Sequence, residues 1–286
     1  MTITLGTNQY GKAENRVVRI YRDSARHEIR DVTVSTSLRG DFTAAHLEGD
    51  QARVLPTDTQ KNTCYAYAKE KGLREIERYG LDLARHFVGD VSSVTGARVA
   101  VDELFWDRVE VGGQGHDHTW VRRGPEVRTT VVTVDETGER VVSGLRDLVL
   151  LKSTGSEFAG FLTDGYTTLA ETHDRIMSTS LAATWRYSRT SFGDGDLDWD
   201  KVWGDVRRIL LEQFALVHSK ALQQTLWEMG RAALEAHPEI AELSLSAPNK
   251  HHFVVDLSPF GLENPNEVFH AADRPYGLIE ATVTRS

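Results

Sequence analysis

The sequence predicts an α+β protein, with antiparallel sheets carrying paired helices on one face. Three observations lead there. β-Branched and apolar residues alternate in short runs along the chain, which is the period of half-buried strands. Two blocks with the 3.6-residue period of helices interrupt those runs, one in each half. The order of strands, helix pair and strands is met twice, although the two halves share almost no residues by eye.

Taken in order, Arg16 to Tyr21 and Val32 to Leu38 alternate on either side of a polar turn near Ser24 and read as a hairpin. Helical periodicity follows at Lys61 to Lys71, breaks at Gly72 and resumes from Leu73 to Val88, with Ile76, Leu81, Leu83, Ala84 and Phe87 on one side. Strand patterns return at Ala97 to Leu104, Thr119 to Arg122 and Val127 to Val134. The turn Glu136-Thr137-Gly138-Glu139 marks a boundary between units of residues 1–136 and 137–286. The second half offers strands at Val141 to Leu151 and Leu181 to Tyr187, then helices at Trp199 to Val217 and Lys220 to Ala236. Strands at Ile240 to Leu245, His252 to Leu257 and Leu278 to Val283 complete it. Sheets of this kind leave edge strands unpaired, and pairing with another copy removes them, so a homo-oligomer is expected.

Composition narrows the function. With 286 residues, 40% of them hydrophobic, the chain can bury a substantial core and is not disordered. Its net charge of −9 argues against a nucleic-acid partner held by phosphate contacts. Cys64 is the single cysteine, so an internal disulfide is excluded, which suits a reducing compartment. Met1 to Gly6 lacks a basic flank followed by an apolar run, and no uncharged apolar stretch reaches membrane-spanning length. Thr284-Arg285-Ser286 is not the Ser-Lys-Leu peroxisomal address. The expectation is a cytoplasmic protein with no membrane partner.

Familiar motifs are mostly missing. Neither a Gly-x-x-x-x-Gly-Lys-Ser/Thr loop nor a strand-linked Gly-x-Gly-x-x-Gly occurs, and no Gly-x-Ser-x-Gly elbow supports a serine hydrolase. Asp194, Asp196 and Asp198 imitate the start of a calcium loop, but Trp199 stands where glycine is required, so they read as an acidic helix entry. His116 and His118 would share a strand face, yet two metal ligands lack a third.

A scattered polar set remains. Thr57-Asp58-Thr59-Gln60 has the spacing of a capping box, in which Thr57 satisfies backbone donors; the other reading is an anion-attracting helix start with a proton-relaying hydroxyl. Lys12 could serve as a neutral base only if buried or placed near other cations. Arg175 follows Glu171 by one turn on a short helix expected after Thr168, which allows an ordinary ion pair, or else its fork grips a planar ring edge. Phe158 reads first as a core residue and second as a stacking face. Gln223, just inside a helix expected to begin at Ser219, can both donate to and accept from a lactam edge. Asn249 and His251, two apart on an extended chain, point the same way.

Tyr10-Gly11-Lys12, Pro56-Thr57-Asp58-Thr59-Gln60-Lys61-Asn62-Thr63, His116-x-His118, Leu151-Lys152-Ser153-Thr154, Phe158-x-Gly160-Phe161, Tyr166-Thr167-Thr168-Leu169, Asp174-Arg175-Ile176 and Pro248-Asn249-Lys250-His251 carry a resemblance from end to end. Each is weak alone. In this order and spacing the chain resembles the urate oxidases, or uricases, of the tunnelling-fold superfamily. The resemblance implies two tandem tunnelling-fold units, barrel closure on oligomerisation to a homotetramer, and active sites at subunit interfaces. It implies that Lys12 and Thr57 form a catalytic dyad, with His251 completing a proton relay. Phe158 would stack on urate, Arg175 and Gln223 would hold its pyrimidine edge, and backbone groups of Leu222 and of Thr57 or Asp58 would add hydrogen bonds. Asn249, with Thr57, would border the oxygen or water site. Where Leu222 stands the family often has valine, which touches pocket width more than chemistry. The implied reaction consumes urate, O2 and water without a cofactor and gives 5-hydroxyisourate and hydrogen peroxide. A pterin- or purine-handling enzyme of the same fold, or a purine-binding protein without turnover, is the alternative.

Overall fold

A computed structural model describes residues 1–285. The elements are β1 (Asn15–Tyr21), β2 (Glu28–Gly40), α1 (Thr43–Leu47), α2 (Thr57–Glu70), α3 (Ile76–Asp90), β3 (Val94–Val111), β4 (Gln114–Asp135), β5 (Gly138–Lys152), β6 (Met177–Tyr187), α4 (Trp199–Leu216), α5 (Leu222–Ala236), β7 (Ile240–Val254) and β8 (Phe269–Thr284). Apart from the short α1, the order is two strands, two helices and two strands, twice over. Among the described residues no helix is long and apolar enough to cross a membrane.

Two compact units result: Met1–Gly144 with Arg186–Val202, and Leu145–Trp185 with the chain from Trp203 onward. In the first, β1 to β4 lie side by side in sequence order and pair antiparallel, with Val17 opposite Val32, Val34 opposite Val101 and Val101 opposite Thr130. Helix α3 packs on β3 and β4. Its apolar stripe, Ile76, Tyr79, Leu83, Ala84 and Phe87, is fully buried, each large side chain contributing about 1.5–3 kcal/mol. In the second unit β7 and β8 pair antiparallel, Leu243 opposite Val283, under α5.

Each unit lets its helix sink onto the sheet at a glycine. A Cβ on Gly80 would stand 2.9 Å from Cγ2 of Val132 in β4, and one on Gly230 would stand 2.4 Å from Cγ2 of Val283 in β8. Alanine at either position forces helix and sheet apart.

The first unit also buries charge. Arg128 of β4 donates to Glu77 of α3 (2.7 Å) and to Asp200 (2.5 Å), and Arg30 of β2 donates to Glu103 of β3 (2.9 Å). Ser143 completes the shell of Glu77 at 2.7 Å. Burial pushes the Glu103 carboxyl up against the pull of Arg128 and Arg30.

Several elements are longer than the alternation predicts. Thr119 to Arg122 and Val127 to Val134 are parts of one strand, β4. Between them the register slips, Leu104 facing Val127 while Trp106 faces Arg122. Gly124-Pro125 occupies that slip, where proline has no N–H to give the ladder. Likewise Ile240 to Leu245 and the start of His252 to Leu257 belong to one strand, β7, with a register shift between Asn249 and His251. No helix forms between Thr168 and Arg175; the chain there is irregular apart from an antiparallel bridge of Thr172 to Phe158. Asp198 accepts the N–H of Lys201 (2.9 Å) at the entry to α4, while Asp194 and Asp196 pair with Arg78 and Arg189.

Candidate active site

In the first unit the site residues cluster at the start of α2. The segment Tyr10-Gly11-Lys12 is clamped along β2: Leu38 N–H donates to Tyr10 O (2.7 Å) and Thr36 N–H to Lys12 O (2.8 Å). A Cβ on Gly11 would fall 1.7 Å from Thr36 O, so only glycine allows this approach. Lys12 N–H donates to Thr36 Oγ1 (3.2 Å), and that hydroxyl donates to Gln60 Oε1 (2.7 Å). Gln60, fully buried, therefore ties α2 to the backbone of Lys12.

The capping box does not form. Pro56 occupies the N-cap, no side chain caps the helix, and Thr57 is its first, exposed residue. The physical reason is that the Gln60 amide is committed to Thr36 and to Leu55 O. The first N–H to bond within the helix is that of Gln60, to Pro56 O at 3.1 Å. The N–H groups of Thr57, Asp58 and Thr59 thus have no intrahelical acceptor, at the end where the helix field favours anions. The Asp58 carboxyl is held below its usual range by the hydrogen bond and charge of Lys61, and Lys12 acts on it in the same direction.

In the second unit a cavity of about 300 Å³ is lined by Arg175, Ile176, Asn249, His251 and His252 among others. The register slips between Asn249 and His251, which face Gly277 and Ala272 of β8, and the adjacent residues His251 and His252 both line the cavity, although regular alternation would send them to opposite faces. His252 Nδ1 lies 3.1 Å from Lys250 O. Burial first, then the charges of Arg175 and His252, push the His251 imidazole below its ordinary value.

Arg175 is not on a helix and does not pair with Glu171, which accepts the N–H of Gly160 instead (2.8 Å). Arg175 is fixed through Ser156: its N–H donates to Ser156 O (2.9 Å) and its Nε to Ser156 Oγ (3.3 Å). Its guanidinium carbon lies 5.3 Å from the ring centroid of Phe158. Burial lowers the Arg175 pKa, though an arginine stays charged at neutral pH. Phe158 is half-buried rather than core, stacked on Phe161 at 5.0 Å. Its backbone exchanges both hydrogen bonds with Thr172, at 2.8 and 3.0 Å.

Helix α5 begins at Leu222, not Ser219. Ser219 is a fully buried anchor, donating its N–H to Gly155 O (2.9 Å) and accepting at Oγ from Thr225 (2.8 Å). Leu222 is buried, Gln223 is exposed, and the first intrahelical N–H is that of Thr225, so this helix start also offers free donors. The structure thus brings Arg175, Asn249 and His251 to one cavity, places Phe158 against Arg175, and links that segment through Ser156 and Ser219 to the helix bearing Leu222 and Gln223. Lys12, Thr57 and Asp58 gather in the other unit.

Sequence reasoning missed the supporting roles of Thr36, Gln60, Ser156 and Ser219, and missed His252 as a neighbour of the site. The first four are buried polar residues whose partners lie far along the chain, so no local pattern marks them. His252 is a second histidine beside His251, disguised because alternation puts it on the opposite face. His116 and His118 stand edge to face, centroids 4.5 Å apart, on β4. Among the described residues no three His, Cys, Asp or Glu side chains gather as a metal site.

The family described as Uricase matches residues 8–133 and 141–280. The uricase of Arthrobacter globiformis is 54% identical over 283 residues, 99% of this chain and 90% of that protein. The uricase of Cyberlindnera jadinii is 36% identical, covering 100% of this chain and 98% of that one. The crystal structure of the Arthrobacter globiformis uricase superposes with a TM-score of 0.93 at 53% identity, covering 100% of this chain and 96% of that chain. A match of family profile, sequence and fold over nearly the full length makes this chain an oxidoreductase enzyme that belongs to the uricase family.

Proposed function

We propose that the chain oxidises urate with O2 and water to 5-hydroxyisourate and hydrogen peroxide. The observation that carries this reading is the cavity in which Arg175, Asn249 and His251 converge, with Phe158 beside the guanidinium. Its volume lies at the small end of ligand sites, the scale of a single purine. A planar fork suits a lactam edge, an aromatic face suits a flat ring, and an imidazole whose lowered pKa favours its neutral form suits accepting a proton.

The chemistry needs no electron carrier from the protein. Triplet oxygen reacts poorly with closed-shell molecules, but the urate dianion is electron-rich enough to give up one electron. The protein's tasks are to remove a proton, hold the ring flat and place oxygen over it. Lys12, acting through the Thr57 hydroxyl, takes the proton; Arg175 and the free N–H groups of the helix starts balance the charge that spreads through the ring. Electron transfer and radical recombination give a peroxide at the ring carbon. Water then adds there, hydrogen peroxide leaves, and His251 with Asn249 steers that second step. One urate, one O2 and one water give one 5-hydroxyisourate and one hydrogen peroxide.

In this reading residues 1–136 and 137–286 are tandem tunnelling-fold units, and subunits close their sheets into a barrel within a homotetramer. Thr57 and the Arg175 cavity then meet across a subunit interface. Mixing Thr57→Ala with Arg175→Ala subunits tests it: hybrids regain activity if each site draws on two chains, and inert hybrids remove the interface. The reaction itself is tested with metal-free, flavin-free protein and urate in air-saturated buffer, following ultraviolet loss, oxygen uptake and peroxide. Turnover at full rate is expected; activity restored only by an added cofactor, or tight binding without turnover, overturns the proposal.

A further inference from the structure

Outside the cavity, the segment that carries Arg175 meets two others at one carboxylate. Glu157 Oε2 lies 3.3 Å from His173 Nδ1, and its Oε1 lies 3.4 Å from His218 Nε2. The three residues sit at telling places in the chain. Glu157 stands between Ser156, which fixes Arg175, and Phe158. His173 lies two residues before Arg175 and next to Thr172, the backbone partner of Phe158. His218 precedes Ser219, whose carbonyl accepts the Glu157 N–H at 2.8 Å, and leads into the helix bearing Leu222 and Gln223.

Resting on the urate site proposed above, we infer that Glu157 is a positioning residue: its carboxylate, held by His173 and His218, sets the spacing of Phe158, Arg175 and Gln223 around the ring. The burial pattern fits a hub. The Glu157 side chain is 21% exposed while His173 and His218 are 76% and 59% exposed, so two exposed imidazoles lie over one largely covered carboxylate. Both carboxylate oxygens are used, one toward each segment. The hydrogen bond to His173 leads in holding the Glu157 carboxyl below its usual range, with His218 adding to it. Neither imidazole touches the cavity, so the effect reaches substrate only through the residues the segments carry.

A role in spacing the ring-holding residues acts on substrate affinity and leaves proton removal intact. Glu157→Gln is therefore expected to raise the KM for urate about fivefold, the reach of two exposed pairs acting together, with kcat changed less than about twofold. His173→Gln and His218→Gln, at exposed positions that do not threaten folding, should each give part of that rise. Either change added to Glu157→Gln should add little, because the hub is already lost. A general loss of folded protein would instead lower kcat per milligram at constant KM. The control is Arg175→Lys. If that change raises KM while Glu157→Gln and both histidine variants do not, the inference is overturned and the site stands; if Arg175→Lys also leaves KM unchanged, the site falls and this inference with it.

Discussion

Helices α2 and α5 start in the same way and are put to different use. Neither has a side-chain cap, and each leaves three N–H groups without intrahelical acceptors. At α2 the Thr57 hydroxyl and the Asp58 carboxylate are exposed, beside a half-buried lysine whose backbone is tethered through Thr36 and Gln60. At α5 the neighbours are walls, Leu222 being buried and Ser219 tying the helix to the segment of Arg175 and Phe158. Backbone donors follow from helix geometry alone. In the proposed reading, what stands beside them assigns one end to protons and the other to holding a ring.

That division predicts opposite kinetic signatures, and the largest effect belongs to the first unit. Lys12→Met and Thr57→Ala should each lower kcat by about 10²–10⁴-fold, the range of general acid–base catalysis, with little change in KM. Steady-state kinetics on urate checks this. A rise in KM at constant kcat would move the first unit to the binding side and dissolve the contrast.

The cores differ as well as the surfaces. Helix α3 buries Glu77 against Arg128, whereas every buried residue of α5 is uncharged. Arg128→Met strands Glu77 without its cation and leaves Glu103 only Arg30, and the expected loss is about 3–5 kcal/mol of stability. Urea unfolding measures it. A loss below about 1 kcal/mol would mean that the carboxyl groups are protonated or hydrated in the native state and that the cluster carries no net charge interaction.

Substitution in the second unit should be milder. Arg175→Lys keeps the charge but loses the planar fork and its place against Phe158, so KM should rise about tenfold while kcat falls less. An unchanged KM would show that the guanidinium does not meet the substrate.

How far the sequence reveals these two halves depends on the range of the interactions. The helix pairs and strand order are legible because burial of one face imposes its period locally, as in Ile76 to Phe87. Alternation weakens where the chain is paired but little buried, so of the outer stretches of β3 and β4 only Thr119 to Arg122 reads as strand, although the ladder continues across the slip at Gly124-Pro125. The residues named for the site came from recognisable short motifs, but their supports did not. Ser156 and Ser219 are 63 positions apart by number, and a hydroxyl that will be fully buried looks in sequence like any other. The capping box was misread for a related reason: Thr-x-x-Gln records a spacing, while the bond Gln60 makes is to Thr36, on another element.

The smallest effect is also the sharpest test of electrostatics in the second unit. His251 is pushed below the ordinary imidazole value of about 6.5 by burial first and by Arg175 second. A neutral imidazole can accept a proton at physiological pH, so the acid limb of kcat should lie below that value, activity falling as pH drops and His251 becomes charged. Replacing Arg175 by glutamine removes a positive neighbour, which makes the imidazolium less costly, so the His251 pKa must rise. The rise should be partial, because burial, the larger cause, is unchanged. Imidazole NMR titration of ligand-free protein follows this residue without requiring turnover. A His251 midpoint that moves down, or not at all, would show that the guanidinium and imidazole do not share the cavity's field, and the proton and ring functions would then have to be divided differently between the two units.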